Sequence, residues 1–173
     1  LTGTDRVAQA SRLIDKNIIL NIQGDEPLLD PNDIRKVINM KLKYSNSVIN
    51  CMSRFDSTEA TNRNIPKVVS NFNNDLIYMS RSAIPGTKYG HSKKTYKQVC
   101  IYAFTKDELN KFYQYGKENG KSPLEWTEDI EILRFIELGM KVKMVETFGT
   151  TQAVDVPEDL NKVLEIINET NIT

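Results

Sequence analysis

The chain has 173 residues, 39% of them hydrophobic, which is enough for one hydrophobic core and predicts a single domain over 1–173. Lys plus Arg and Asp plus Glu both number 23, so the formal net charge is zero and no nucleic-acid partner is indicated. The sequence shows neither a signal-peptide pattern nor a membrane-spanning run, which predicts a soluble, cytoplasmic protein without a membrane partner. Cys51 and Cys100 lie apart in apolar runs and are predicted to be reduced core residues.

The first half of the chain alternates between helical and strand-like patterns. Asp30-Pro31 is an N-cap followed by proline at the first helical position, and Asn73-Asn74-Asp75 is a turn cluster between two β-branched runs. The predicted elements are a helix over 5–15, a strand over 18–23, a helix from Pro31 to about 43, a strand over 48–52 and a β-hairpin over 67–80.

The second half continues the alternation after a loop over 81–96 that contains His91. Thr105 and Ser122 each have the spacing of a capping box. The predicted elements are a strand over 98–104, a helix from 106 ending near Gly116, one helix from Pro123 to Gly139, a strand from Val142 with one solvated face, and a last helix from Pro157. Strands that alternate with helices predict an α/β three-layer fold, and the hairpin predicts that its sheet is mixed.

Two carboxylates end the most apolar strand. The run over 18–23 reads as a strand buried on both faces inside a parallel sheet, and Gly24 separates it from Asp25 and Glu26. Ligands of open α/β sheets bind at the carboxyl ends of the strands, and Mg²⁺ takes one or two protein carboxylates plus substrate phosphates. The alternative is a polar turn with solvated acids.

Asp155 lies between a short apolar pair and a helix that begins with proline. As a lone residue it is explained by helix capping. Together with Asp25, however, it provides two carboxylates that could face one edge of the sheet and share a Mg²⁺ ion.

Seven motifs occur in one order over nearly the whole chain. They are Thr2-Gly3-Thr4-Asp5-Arg6, Asn21-Ile22-Gln23-Gly24-Asp25-Glu26-Pro27, Pro66-Lys67-Val68-Val69, Tyr78-Met79-Ser80-Arg81-Ser82-Ala83-Ile84-Pro85, Ile101-Tyr102-Ala103, Ser122-Pro123-Leu124-Glu125 and Val154-Asp155-Val156-Pro157-Glu158-Asp159-Leu160. In this order and approximate spacing they resemble the 3-deoxy-manno-octulosonate (Kdo) cytidylyltransferase family, the CMP-Kdo synthetases.

The resemblance implies a Rossmann-like nucleotidyltransferase that joins CTP and Kdo into CMP-Kdo and pyrophosphate for lipopolysaccharide or capsule synthesis. It implies a homodimer, with an interface near 77–84, and Mg²⁺ held by Asp25 and Asp155. The resemblance assigns Asp25, Asp155 and Arg81 to catalysis. It assigns substrate binding to Arg6, Gln23, Gln98, Tyr102 and Glu131.

Two sugar-side positions depart from the family pattern. Gln98 stands where the family usually has histidine, and Ile132 stands where it usually has glutamine. His91 lies in the variable loop and does not replace the missing histidine. Losing a partner to a buried sugar hydroxyl costs roughly 1–3 kcal/mol, so the substrate could be another sugar acid such as 8-amino-Kdo or sialic acid.

The sequence begins after the strand and phosphate-gripping loop with which the family starts. The expectation is therefore the C-terminal portion of a cytidylyltransferase, inactive as these 173 residues alone. A metal-dependent glycosyltransferase is a rival, although Gly24-Asp25-Glu26 is not the Asp-x-Asp that such enzymes use. A non-catalytic, truncated paralogue is the other rival.

Overall fold

A computed structural model describes residues 2–55, 57–86, 88, 95–147, 153–154 and 156–170. The strands are β1 Ile18–Ile22, β2 Val48–Arg54, β3 Lys67–Ser70, β4 Leu76–Ser80, β5 Tyr96–Thr105 and β6 Val142–Glu146. The α-helices are α1 Gly3–Ser11, α2 Pro31–Lys43, α3 Lys106–Asn119, α4 Pro123–Glu128, α5 Ile132–Glu137 and α6 Pro157–Thr170.

The strands form one mixed, six-stranded sheet in the order β4-β3-β5-β2-β6, with β1 also paired to β5. The strand β5 is antiparallel to β1, β2 and β3, whereas β2 and β6 are parallel. The strands β1, β2 and β6 therefore run in the same direction and end at the same edge of the sheet. The predicted mixed sheet and the hairpin of β3 and β4 are confirmed.

The prediction for β1 is wrong in one respect. Its ladder partner is the antiparallel β5, and only Ile19 of its five residues is fully buried. In the described part of the chain a single strand flanks β1, so its apolar residues are only partly covered.

Helices cover both faces of the sheet, which confirms the three-layer α/β architecture. On one face, α2 packs Val37 against a cluster that includes Ile49 and Ile101. On the other face, α1, α3 and α5 pack around Phe104, with Phe135 stacked 5.3 Å from it between ring centroids. The prediction of a single domain stays a prediction.

The predicted helix starts are confirmed where a side chain caps the first turn. Asp30 accepts a hydrogen bond from Asn32 N, while Thr105 and Ser122 form capping boxes. These signals are local and therefore readable from the sequence.

Two predicted helix ends and the continuity of a third predicted helix are wrong. The helix α1 stops at Ser11, so Leu13 and Ile14 are exposed rather than on a buried face. The helix α3 continues through Gly116 to Asn119. The single helix predicted after Pro123 is two helices, because Asp129 adopts a left-handed conformation with φ 51°.

The strand β6 is buried on both sides rather than on one. Lys143, predicted to be solvated, is 7% exposed and donates through Nζ to Asn73 O and to Asp75. The tip of the β3–β4 hairpin covers it, since Met144 N donates to Asn74 O. None of the described helices is long and apolar enough to cross a membrane.

Candidate active site

The end of β1 and the loop after it are joined to the middle of β5 by hydrogen bonds. Gln23 N donates to Cys100 O over 3.2 Å, and Cys100 N lies 3.5 Å from Glu26 Oε1. The loop after β1 is therefore fixed against β5 at the edge where β1, β2 and β6 end.

Asp25 has a buried carboxylate oxygen that receives no hydrogen bond from any described residue. This atom is Oδ1. The backbone carbonyl of Asp25 accepts a hydrogen bond from Val154 N over 2.9 Å, which brings the segment before α6 to the same loop. A buried oxygen without a donor costs free energy unless a ligand or cation pairs with it.

A bulge in β5 lies beside this loop. Asn50 pairs with Tyr102, but the next residue, Cys51, pairs with Val99, so two residues of β5 have no ladder partner on β2. The side chain of Asn50, which is fully buried, fills the gap by donating through Nδ2 to Val99 O and Ile101 O. Bulges of this kind often redirect side chains next to active sites.

Gln98 and Tyr102 are joined across the bulge. Gln98 Nε2 donates to Asn50 Oδ1 over 3.0 Å and to the Tyr102 hydroxyl over 3.2 Å. Burial raises the pKa of Tyr102 well above its ordinary value, and the neighbouring Cys100 thiol and the charges of Glu131 and Asp25 raise it further. Tyr102 therefore remains a neutral hydroxyl at physiological pH, close to both carboxylates.

Glu131 binds the N-terminus of α1. Its Oε1 and Oε2 accept hydrogen bonds from Gly3 N and Thr4 N, at 2.9 and 2.7 Å. A carboxylate in this position is favoured by the unpaired amides of the first turn and by the helix dipole. Arg6, on the same helix, is exposed.

Arg81 is bonded to backbone carbonyls. Its guanidinium donates to Glu128 O at 2.6 Å, Asp129 O and Arg63 O at 3.0 Å, and Asn64 O at 3.3 Å. This arrangement ties the end of β4 to the break between α4 and α5. The assignment of Arg81 to catalysis stays a prediction.

The structure thus gathers Gln23, Asp25, Gln98, Tyr102 and Glu131 around one edge of the sheet. Asp155 and His91 lie outside the described residues, so the shared metal site stays a prediction. Ile132, the second departure from the family pattern, is a core residue, 1% exposed.

The chemistry of Asp25 fits a divalent cation. Over the described ranges, no three His, Cys, Asp or Glu side chains are grouped to hold a metal ion. Mg²⁺ needs only one or two protein carboxylates when substrate phosphates complete its shell, and the unpaired Oδ1 of Asp25 is an oxygen of the kind that such an ion binds.

Sequence reasoning missed Asn50. The available signal was a lone amide in the apolar strand Val48-Ile49-Asn50-Cys51-Met52, because a buried amide must find hydrogen-bond partners. Neither Cys51 nor Cys100 forms a disulfide, and of these two predicted core residues Cys51 is buried whereas Cys100 is only partly buried.

Comparison with known proteins identifies the family to which this site belongs. The sequence profile of the family described as Cytidylyltransferase matches residues 1–144. The chain belongs to the cytidylyltransferase family. It is accordingly a nucleotidyltransferase, and the resemblance expected from its motifs is confirmed.

Within the family, this cytidylyltransferase is similar to curated 3-deoxy-manno-octulosonate cytidylyltransferases. It is 36% identical over 171 residues to that of Christiangramia forsetii, covering 96% of this chain and 67% of the relative. It is 37% identical over 169 residues to that of Nitratiruptor sp., covering 94% of this chain and 69% of the relative.

Solved structures agree with the fold of this cytidylyltransferase. A CMP:2-keto-3-deoxy-manno-octonic acid synthetase complexed with CTP superposes with a TM-score of 0.86 at 29% identity, covering 98% of this chain and 69% of that one. An apo UDP-glucose pyrophosphorylase, 12% identical with a TM-score of 0.68 over 99% and 62% of the two chains, shares the fold alone. The predicted Rossmann-like nucleotidyltransferase fold is confirmed.

Proposed function

We propose that this cytidylyltransferase joins CTP and Kdo, or a close analogue, to give CMP-Kdo and pyrophosphate for lipopolysaccharide or capsule synthesis. The observation that carries the proposal is the convergence of Gln23 and Asp25 with Gln98 and Tyr102 at one sheet edge. Similarity to the named synthetases over 96% of the chain supports it.

Asp25, with Asp155, would hold Mg²⁺ in this site. The ion would supply neutralisation of the triphosphate and a lower pKa for the attacking anomeric hydroxyl. The protein's own contribution is a buried carboxylate oxygen that no described donor satisfies, next to a segment held by Val154 N.

The residues around Asp25 would orient the sugar acid. Tyr102 keeps its proton, so its hydroxyl can donate a hydrogen bond to the ligand at neutral pH. We assign Gln23, Gln98 and Glu131 to sugar contacts, and Arg6 to pairing with the sugar carboxylate or a phosphate. Such groups accelerate the reaction by holding the sugar acid in position rather than by forming covalent bonds to it.

The test is pyrophosphate release by the full-length protein with CTP, Mg²⁺ and Kdo. Asp25→Asn keeps the shape of the side chain but removes its charge, and we expect a loss of at least about a hundredfold in kcat. The matched control is Asp15→Asn, because Asp15 is an exposed carboxylate outside the site. Wild-type activity in Asp25→Asn would remove the metal assignment.

A related sugar acid is the second candidate substrate. It is favoured by Gln98, which stands where the family usually has histidine and is hydrogen-bonded to Asn50 and Tyr102. Kdo, 8-amino-Kdo and sialic acid should be compared as acceptors by kcat/KM. If CTP binds in calorimetry but no acceptor yields pyrophosphate, the protein is the non-catalytic paralogue instead.

The proposal includes a cytoplasmic homodimer. Cytoplasmic location follows from the need for CTP. The candidate interface is the outer strand of the hairpin, where Ile77 is 56% exposed. Large apolar side chains exposed on a strand at the edge of a sheet are typical of association surfaces.

A further inference from the structure

We propose that Asn50 is a positioning residue that fixes the carboxamide of Gln98 so that its carbonyl oxygen is the atom available to the sugar acid. The inference rests on the proposed function, because it says which atoms of that same sugar site accept hydrogen bonds from the sugar acid and which donate to it. Asn50 itself is fully buried in β2 and needs no contact with the ligand.

The orientation of Asn50 is dictated by its backbone partners. Val99 O and Ile101 O are acceptors, at 3.0 and 3.1 Å, so the group that faces them must be the amide nitrogen Nδ2. Both hydrogens of Nδ2 are used at the bulge. The oxygen Oδ1 must therefore point the other way, toward Gln98.

The orientation of Gln98 follows from that of Asn50. Because Asn50 Oδ1 only accepts, Gln98 must present its nitrogen Nε2, at 3.0 Å. The second hydrogen of Nε2 goes to the Tyr102 hydroxyl at 3.2 Å. With both donors used, the carboxamide offers a ligand one acceptor, Oε1.

Tyr102 offers a ligand a hydrogen-bond donor, whereas Gln98 offers an acceptor. Its oxygen accepts from Gln98, so its own proton is directed elsewhere, toward the Cys100 thiol or an incoming ligand. A sulfur atom is a weak acceptor and is readily replaced by a sugar oxygen. The pair thus presents one acceptor and one donor, which suits a sugar position bearing a hydroxyl or an amine.

The first measurement needs no activity. In ¹H–¹⁵N NMR, the side-chain amide of Gln98, assigned by its loss in Gln98→Glu, should show the heteronuclear NOE of a rigid group. In Asn50→Ala that value should fall to that of the exposed Gln114. Ile49→Val, which removes packing on the opposite face of the same strand, is the matched control and should leave the Gln98 signal unchanged.

The second measurement compares KM for the sugar acid with KM for CTP. Asn50→Ala should raise KM for the sugar acid about tenfold while KM for CTP changes less than about twofold. If Asn50→Ala does not fold, Asn50→Ser replaces it in both measurements. Serine can still donate to one bulge carbonyl, but it is too short to hold Gln98.

The outcomes separate the two proposals. A Gln98 amide that stays rigid in a folded Asn50 variant overturns the positioning role, and so does an unchanged KM for the sugar acid in an active one. A wild-type protein that releases no pyrophosphate overturns the proposed function, while the NMR result still decides the role of Asn50.

Discussion

Arg134 shows how one buried side chain constrains its neighbours. It is 1% exposed and binds Glu125 through Nε and Nη2, both at 2.6 Å, and Asp5 through Nη1 at 3.0 Å. A buried cation is tolerated only when it is paired and hydrogen-bonded in this way. A Cβ built on Gly116 would overlap Arg134 Nη1 and lie 3.1 Å from Asp5 Oδ1.

Gly116→Ala is therefore expected to destabilise the protein, although alanine is the better helix former by about 1 kcal/mol. Displacing the paired guanidinium should lower the free energy of unfolding by about 1–3 kcal/mol. Urea denaturation measures this, with Gly86→Ala as control because its Cβ would meet no atom within 4 Å. A stabilised Gly116→Ala would contradict the packing.

Glu128 makes stability depend on pH. Burial raises its pKa, but hydrogen bonds from Arg81 N, Ser80 Oγ and Tyr78 OH outweigh burial, and its pKa lies below the ordinary 4.5. A carboxylate whose pKa is lowered by folding stabilises the protein above its unfolded pKa. That stabilisation is lost as the pH falls through the folded value.

Glu128→Gln should thus cost about 1–2 kcal/mol near pH 7 and make the fall in Tm between about pH 5 and pH 3 shallower. Calorimetry over that range measures both effects. Glu118→Gln, at an exposed site on α3, should keep the wild-type profile. If Tm of Glu128→Gln falls with pH in parallel with the wild type, the pKa of Glu128 is not lowered by folding.

At the scale of elements, the break between α4 and α5 sets the position of Glu131 beside the N-terminus of α1. Asp129 has φ 51°, which ends α4, and α5 begins at Ile132. Arg81 binds the carbonyls of Glu128 and Asp129 at this point. Glu131 is thereby presented to the amides of α1 rather than to solvent.

Asp129→Val should destabilise the break by about 1–2 kcal/mol, because a β-branched residue is strained in the left-handed region. Asp129→Gly should be near wild type, since glycine removes the strain while the ion pair to Lys121 is largely exposed and contributes little. Thermal unfolding of the two variants compares them. Equal losses in both would point to the ion pair instead.

At the scale of the whole molecule, the hairpin of β3 and β4 has two faces. Val68 and Met79 pack into the core, whereas Ile77 is exposed. The hairpin tip also holds β6 through Asn74 O. One element therefore covers the core and provides the proposed dimer surface.

Ile77→Glu should convert the proposed homodimer to a monomer, because a charge in an apolar interface weakens association by about 2 kcal/mol or more. Light scattering after size-exclusion chromatography measures the mass. Leu13→Glu, at a residue that is 91% exposed and lies outside the hairpin, is the control. A dimer that survives Ile77→Glu would exclude this surface.

Features that depend on neighbouring residues were determined by the sequence alone. The caps at Asp30, Thr105 and Ser122, the β3–β4 hairpin and the stop at Gly139 are confirmed, because each rests on contacts within a few residues. The motifs that indicated a cytidylyltransferase were likewise local strings.

Features that join distant residues were decided only by the tertiary structure. The antiparallel partner of β1, the bulge filled by Asn50 and the capping of α1 by Glu131 link residues far apart in the chain. Hydrophobic periodicity indicates that a residue is buried, but it does not identify the residues against which it packs. Burial of polar groups then selects the partner, because burying an amide or carboxylate without a hydrogen bond costs free energy.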